Sequence, residues 1–289
     1  VKLRIAACQF PVQRGIEQNQ AYILRQMASA ASRGADVALF PEASLGGYAG
    51  VDFPSFRGYD WPLLIQCTQR VMDEARQQGI WVVLGSNHRL TGKHKPHNCL
   101  YIISDRGQVV DRYDKLFCTG GPDQMDMRHY SPGSHFAKLT IKGVRCGFLI
   151  CHDWRYPEVY RRYKQLGVDL IMQSWYDGGL NRTQWRDTGK MLGQVIPATA
   201  QGHAACNHLW ICGTNTSKPQ SCFGGFLIQP DGQMVSKAAR NRPSVHMCTV
   251  DTEAPLDDPA RHWRKDAIKG KLHGGKKVGD PRSADRKCV

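Results

Sequence analysis

The chain has 289 residues, 41% hydrophobic and 22% charged, and a formal net charge of +14. That length supports one large domain or two ordinary ones, and that balance is characteristic of a globular protein rather than a disordered or membrane-embedded chain. The longest stretch free of Asp, Glu, Lys and Arg, Met191 to Ser217, contains Pro197, Gln201, His203, Asn207, His208 and Asn215, a polar load that reads as core and not as a bilayer span.

In chain order, residues 3 to 10 alternate and then fill with small apolar side chains, as a buried strand does. The apolar run breaks at Gln9 and Pro11, too short for a signal h-region. From Glu17 to Arg33, Ile23, Met27, Ala30 and Ala31 fall at helical spacing, and Gly34 stops the helix. "ADVALFPE" reads as a second strand ending at Pro41. The strand, helix, strand order recurs: a helix from Trp61 to Gln78 leads through Gly79 into "IWVVLGS", and "VYRRYKQLG" leads into "VDLIMQSW". Two hairpins interrupt it, "CLYIISDRGQVVDRYDK" turning at Asp105 to Gly107 and "GFLIQPDGQMVSKA" turning at Asp231 and Gly232. Parallel units mixed with hairpins predict α/β layers with a mixed sheet or two packed sheets, in a single domain over residues 1–260.

The remaining segment, 261–289, holds ten Lys or Arg against three acids, so half of the net charge sits there. Its "KGKLHGGKKVGD" reads as a solvated or subunit-crossing basic tail. Nucleic-acid binding is the rival reading, but Trp263 is the segment's one aromatic, and such modules usually add stacking aromatics or a recognition helix. No membrane or nucleic-acid partner is expected.

Eleven cysteines, an odd number at irregular positions and without a CxxC pair, suit free thiols in a reducing compartment, so a cytoplasmic location is expected. His203, Cys206 and His208 in "HAACNH" match no usual zinc spacing, and no metal or cofactor is expected.

In layered α/β folds the strand ends carry the site. Three such stretches stand out: "LFPEASLGGY" with Glu42, "RYDKLFCTGG" with Lys115 and "GFLICHDWRYPE" with Cys151. A cysteine nucleophile acts as thiolate, a carboxylate takes its proton, and an ammonium beside both stabilises the thiolate and the later oxyanion. These residue types suffice for acyl transfer without histidine. His152 adjoins Cys151, but neighbours in an extended segment point to opposite faces, so the base is sought elsewhere in the chain. A dyad of Cys151 with His129, His203 or His208 is a weaker alternative. No GxSxG, P-loop or GxGxxG pattern occurs.

"FPE", "DKLF" and "GFLICHDWRYPE", in that order, together with the two hairpins, resemble the nitrilase superfamily of carbon-nitrogen hydrolases over nearly the whole chain. The resemblance implies an αββα sandwich with two mixed sheets that forms a homodimer or a larger homo-oligomer, and implies Glu42 as general base, Lys115 as oxyanion stabiliser and Cys151 as the acyl-forming nucleophile. Many members carry a second glutamate seven residues before a loop glycine; here that count from Gly133 lands on Asp126, with Asp123 as the other candidate. Asp126, one methylene shorter, would orient Lys115 through a shifted backbone or a water, or not at all.

"CHDWRYPE" is similar to the amidase and carbamoylase branches more than to true nitrilases. The implied reaction is hydrolysis of a linear amide or N-carbamoyl compound through a cysteine thioester, with release of ammonia. Nitrile hydrolysis by the same site and a non-catalytic binding member of the fold are the alternatives. Asp153 is expected to serve the turn by accepting local backbone N–H groups. Arg155 reads either as an ion pair with Glu158 or as a carboxylate clamp. Trp175 and Tyr176, in "SWYDGG", line the acyl side of the site or simply pack, and Tyr48, in the loop over residues 44–60, is a further candidate for substrate contact.

Overall fold

In the computed structural model, which describes residues 1–287, two six-stranded sheets lie face to face. The first is built from β1 (Lys2–Gln9), β2 (Val37–Leu39), β3 (Trp81–His88), β4 (His97–Ile103), β5 (Val109–Asp114) and, from far along the chain, β12 (Ser244–Asp251), in the order β12-β1-β2-β3-β4-β5. Strands β1, β2 and β3 run parallel and the others antiparallel. The second comprises β6 (Lys138–Ile141), β7 (Val144–Ile150), β8 (Leu170–Ser174), β9 (Trp210–Thr214), β10 (Phe226–Ile228) and β11 (Met234–Lys237), in sequential order, with β7, β8 and β9 parallel.

The burial pattern explains why β1 is apolar on both faces. Leu3, Ile5 and Ala7 join Phe148, Ile150, Met172 and Ile211 in the core between the sheets. Ala6 and Cys8 point the other way, under α1 (Ile16–Ser32) and α2 (Trp61–Gln78), with Ile23, Met27, Leu64 and Val71. Each large apolar side chain so buried contributes on the order of 1.5–3 kcal/mol. On the opposite outer face α3 (Pro157–Gln165) and a long helical segment lay Val159, Tyr160, Tyr163, Ile196, Ala200 and Ala204 on the second sheet. That segment begins as a single turn, α4 (Arg182–Gln184), passes through a π turn over Trp185–Gly189 and continues as α5 (Lys190–Asn207). The layers are therefore helix, sheet, sheet, helix, as expected.

The local signals act where their chemistry predicts. Asp60 caps α2 by accepting from the Leu63 N–H at 2.9 Å, and Gly79 ends it in the left-handed conformation at φ 61°. Both hairpins form, with Gly107 and Gly232 at positive φ. The charge-free stretch from Met191 is α5 followed by β9, and no described helix is long and apolar enough to cross a membrane.

The basic segment divides in two. Its start forms α6 (Arg261–Ile268), docked where Arg264, 9% exposed, pairs with Asp258 and donates to the Cys206 carbonyl at 3.3 Å. Residues 269–280 form neither helix nor strand before the short α7 (Pro281–Ala284). Cys288, the last of the eleven cysteines, lies outside the described residues.

Candidate active site

Glu42 follows the end of β2 in a loop laid closely over β3. Gly85 of β3 permits this, since a Cβ there would lie 2.0 Å from the Pro41 carbonyl oxygen. The Leu45 N–H and the Ser44 hydroxyl both donate to the Gly85 carbonyl, at 2.9 and 3.0 Å. The Glu42 N–H donates across to the Trp175 carbonyl at 3.3 Å, which ties the first sheet's loop to the second sheet.

Lys115 directly follows β5. Its backbone is held on both sides, donating to the Asn98 carbonyl and accepting from the Gly133 N–H, each at 2.9 Å. Its ammonium is fully buried and lies 2.8 Å from Glu42 Oε1 and 2.7 Å from Asp126 Oδ2, with the Tyr48 hydroxyl at 3.3 Å. Burial works against this charge, but Glu42, Tyr48 and Asp126 outweigh it and hold Lys115 protonated well above its ordinary range.

Asp126 thus contacts Lys115 directly, without an intervening water. It sits in a 3-10 turn over Met125–Arg128, and Asp123 and Met125 take positive φ of 57° and 41°; this tight loop brings the shorter side chain close. Asp126 also accepts from the Tyr48 hydroxyl at 2.6 Å and the Thr119 N–H at 2.9 Å. Burial alone would raise its carboxyl, yet Lys115 and these donors pull it below the usual range. Asp123, the other candidate, is outside the site, 93% exposed and 3.9 Å from Lys95.

Asp126→Asn is expected to lower turnover while leaving acylation of Cys151 measurable. It removes one charged partner of Lys115, worth about 1.5–3 kcal/mol, or roughly ten- to a hundredfold in rate. Acyl-enzyme mass measurement beside steady-state ammonia release checks this; unchanged turnover would remove the role.

Glu42 Oε1 accepts from both Lys115 and the Asn98 side chain, the latter at 2.7 Å, while Oε2 is buried with no hydrogen-bond partner among the described residues. Burial first, and then the neighbouring Asp126, drive the Glu42 carboxyl above its ordinary value against the pull of Lys115. A carboxylate so raised is a stronger base than one in water, which suits proton abstraction near neutral pH.

Cys151 occupies the end of β7 with φ 35°, a left-handed conformation unusual for a non-glycine residue, and opens a 3-10 turn over Cys151–Arg155. The turn is stapled by Asp153, which is fully buried. Its Oδ2 accepts from the Ile150 N–H and the Tyr113 hydroxyl, at 3.0 and 2.7 Å. Oδ1 accepts from the Phe117 N–H at 2.9 Å. Asp153 therefore serves its own turn, as expected, and also joins it to the strand that leads to Lys115.

Cys151 as a residue is half-buried. Burial pushes its thiol well above its ordinary value, with Asp177 and Glu42 adding to the rise and Lys115 and a backbone hydrogen bond from Tyr176 opposing it. The resting group is the thiol, so its activation needs a base. Because Cys151 starts a helical turn, the extended-segment reason for excluding His152 does not hold; a different one does. The His152 ring packs edge-on against Tyr156 and is pushed down to about 4 by burial, Lys115 and Arg155, which leaves it a weak base.

The other expectations resolve individually. Tyr48 is in the site, bonded to both Lys115 and Asp126. Tyr176 lies beside it with ring centroids 5.1 Å apart and donates its hydroxyl to Asp52 at 2.7 Å. Trp175 has no exposed surface and packs on Phe223 and Phe226, so of its two readings the packing one describes this structure. Arg155 is exposed and lies over the Trp154 ring at 4.4 Å, with no ion pair to Glu158 among the described residues. His203 stacks on Tyr160 at 4.0 Å, and His208 ends α5 in the left-handed conformation.

Two site residues escape sequence reasoning. Asn98 binds Glu42 through its side chain and Lys115 through its carbonyl; its signal is a polar residue inside the apolar run "HNCLYII". Asp177, whose Oδ2 accepts from the Cys151 thiol at 3.7 Å, lies in "SWYDGG", where the aromatics drew attention instead.

A buried carboxylate and ammonium thus lie near a cysteine that follows a strand end in an αββα sandwich. The chain belongs to the carbon-nitrogen hydrolase family, whose model matches residues 4–254. It is 25% identical over 266 residues to omega-amidase NIT2 of Danio rerio, covering 89% of this chain and 91% of that protein. It is also 25% identical over 259 residues to deaminated glutathione amidase of Bos taurus, covering 86% of this chain and 76% of that one. Among solved structures, an amidase from Nesterenkonia sp. superposes with a TM-score of 0.73 at 21% identity, over 93% of this chain and 96% of that one, a likeness of fold.

Proposed function

We propose that the protein hydrolyses a small linear amide through a Cys151 thioester, releasing ammonia. The observation that carries this reading is the fully buried Lys115 ammonium bridging Glu42 and Asp126 at 2.8 and 2.7 Å. Glu42 takes the Cys151 proton as sulfur bonds the amide carbon. The oxyanion that forms is stabilised by the Lys115 charge. Glu42 returns the proton to the departing nitrogen, which leaves as ammonia, and the thioester remains. Glu42 then takes a proton from water as its oxygen attacks the acyl carbon; the acid departs and the thiol is restored.

Relatives support an amide as substrate: the full-length likenesses cited are to amidases, and a variant of the Nesterenkonia amidase is known in complex with butyramide. An N-carbamoyl substrate has less support, since Arg155 is the one arginine beside the nucleophile turn and lies exposed on Trp154. Nitrile hydrolysis by the same residues is the other chemistry open to a thioester-forming site. Ammonia release should be measured over aliphatic amides, ω-amides, N-carbamoyl amino acids, N-carbamoyl amines and nitriles. Release from the amides is expected; release from nitriles or carbamoyl compounds alone would replace this reading, and silence throughout would favour a binding protein.

A further inference from the structure

Asp177 has a charge that the hydrolytic steps do not use. Its backbone is pinned: its N–H donates to Asn215 Oδ1 at 2.8 Å, and its carbonyl accepts from Asn215 Nδ2 at 3.0 Å and the Cys222 N–H at 2.8 Å. Asn215 is itself fully buried and also donates to the Phe223 carbonyl. The carboxylate is thereby aimed at Cys151, which donates to Oδ2 across 3.7 Å. Asp177 makes no ion pair among the described residues, because Lys115 is already committed to Glu42 and Asp126. The site thus sets three acids against one ammonium.

An uncompensated carboxylate beside a sulfur that must become anionic works against catalysis, and after burial Asp177 does most to raise the Cys151 thiol. A cation arriving with the substrate reverses that effect. Once Sγ bonds the acyl carbon, an ammonium on the neighbouring carbons falls within reach of Oδ2. Building on the amidase reading, we propose that Asp177 determines specificity, selecting amides whose acyl group carries a positive charge on the α or β carbon and disfavouring those with a carboxylate there. The bound ammonium neutralises Asp177 and so eases ionisation of Cys151, making the preferred substrate a contributor to its own attack.

Asp177 accepts from the Cys151 thiol in its carboxylate form. Burial and then Glu42 push it up to about 6, with Lys115, its bond to Cys151 and Arg155 opposing. The preference should accordingly weaken as pH falls through about 6, where Asp177 gains a proton while an alkylammonium keeps its own.

The test compares wild type with Asp177→Asn, which keeps the backbone bonds to Asn215. Methanethiosulfonate reagents form a mixed disulfide with the thiolate and expel methanesulfinate. Modification of Cys151, located by peptide mass, should be at least about tenfold faster with the aminoethyl than with the sulfonatoethyl reagent, beyond the ratio of their rates with a small free thiol, and the excess should collapse in the variant. In parallel, the kcat/KM ratio of 3-aminopropanamide to butanamide should exceed one in wild type and fall about tenfold or more in the variant. Equal ratios in both proteins, or a wild type preferring butanamide, would overturn the inference while leaving an active amidase. Charge-selective modification with no amide turnover would instead retain the cation preference and remove the amidase reading.

Discussion

Ammonia release is expected to vanish when Cys151 is changed to Ala, falling by at least about 10⁴-fold, because in the proposed mechanism Cys151 forms the thioester that divides the reaction into two lower barriers. Little stability should be lost with it. Cys151 is half-buried and small, not a large core group. Its ionisation is disfavoured by burial and by Asp177 and Glu42, so its removal takes away no favourable charge interaction. Ala must also adopt the left-handed φ of 35° that Cys151 already tolerates, so the turn stapled by Asp153 is unchanged. Steady-state ammonia assays and thermal melts of both proteins check this. Turnover close to wild type would exclude Cys151 as nucleophile, and an inactive variant with a much lower melting temperature would show that the cysteine had been structural.

Lys115→Met is expected to cost both activity and stability. With the ammonium gone, Glu42 and Asp126 become buried carboxylates without their cation, a situation that destabilises by roughly 3–5 kcal/mol. The pH dependence has a definite sign. Asp126 sits below its ordinary value because Lys115 and its hydrogen-bond donors overcome the burial penalty; its contribution is present above the unfolded carboxyl range and lost as pH falls through its folded value. Without Lys115 both acids should titrate higher in the folded state, so they add to the destabilisation as pH rises and ionises them. The gap in melting temperature between the two proteins should therefore be widest near neutral pH and narrow at acid pH. A gap independent of pH would mean that the loss is one of packing alone.

Much of the scaffold was legible in the sequence because its signals are local. The spacing of Ile23 and Met27, Asp60 at the start of α2, Gly79 at its end and the glycines of the two hairpins act over a few residues, and the structure has helices and turns at those places. The small apolar residues that fill β1 likewise indicated a buried strand, which the structure covers with helices on one face and a second sheet on the other. Glu42, Lys115 and Cys151 could be named as a chemical set because each lies where a strand ends, and the ordered motifs strengthened the choice.

What the local patterns could not settle is which groups meet at the strand ends. Lys115 and Glu42 are 73 positions apart, and Cys151 and Asp177 are 26; both pairings depend on the order in which the strands of each sheet lie side by side. Whether an aspartate could reach Lys115 was decided by a 3-10 turn and by the positive φ of Asp123 before it and Met125 within it, for which no glycine in 123–128 gives warning. Trp175 and Tyr176 adjoin in sequence, yet the first packs on Phe223 and Phe226 in the core and the second lies by Tyr48. The sequence by itself determined the layers, the ends of the elements and the kind of chemistry, because short-range periodicity and residue type carry those. Only the tertiary structure decided that Asn98 joins the carboxylate to the ammonium and that Asp177 leaves a negative charge beside the nucleophile, because these are contacts between separate strands and loops whose energies exist only once the strands of each sheet have come together.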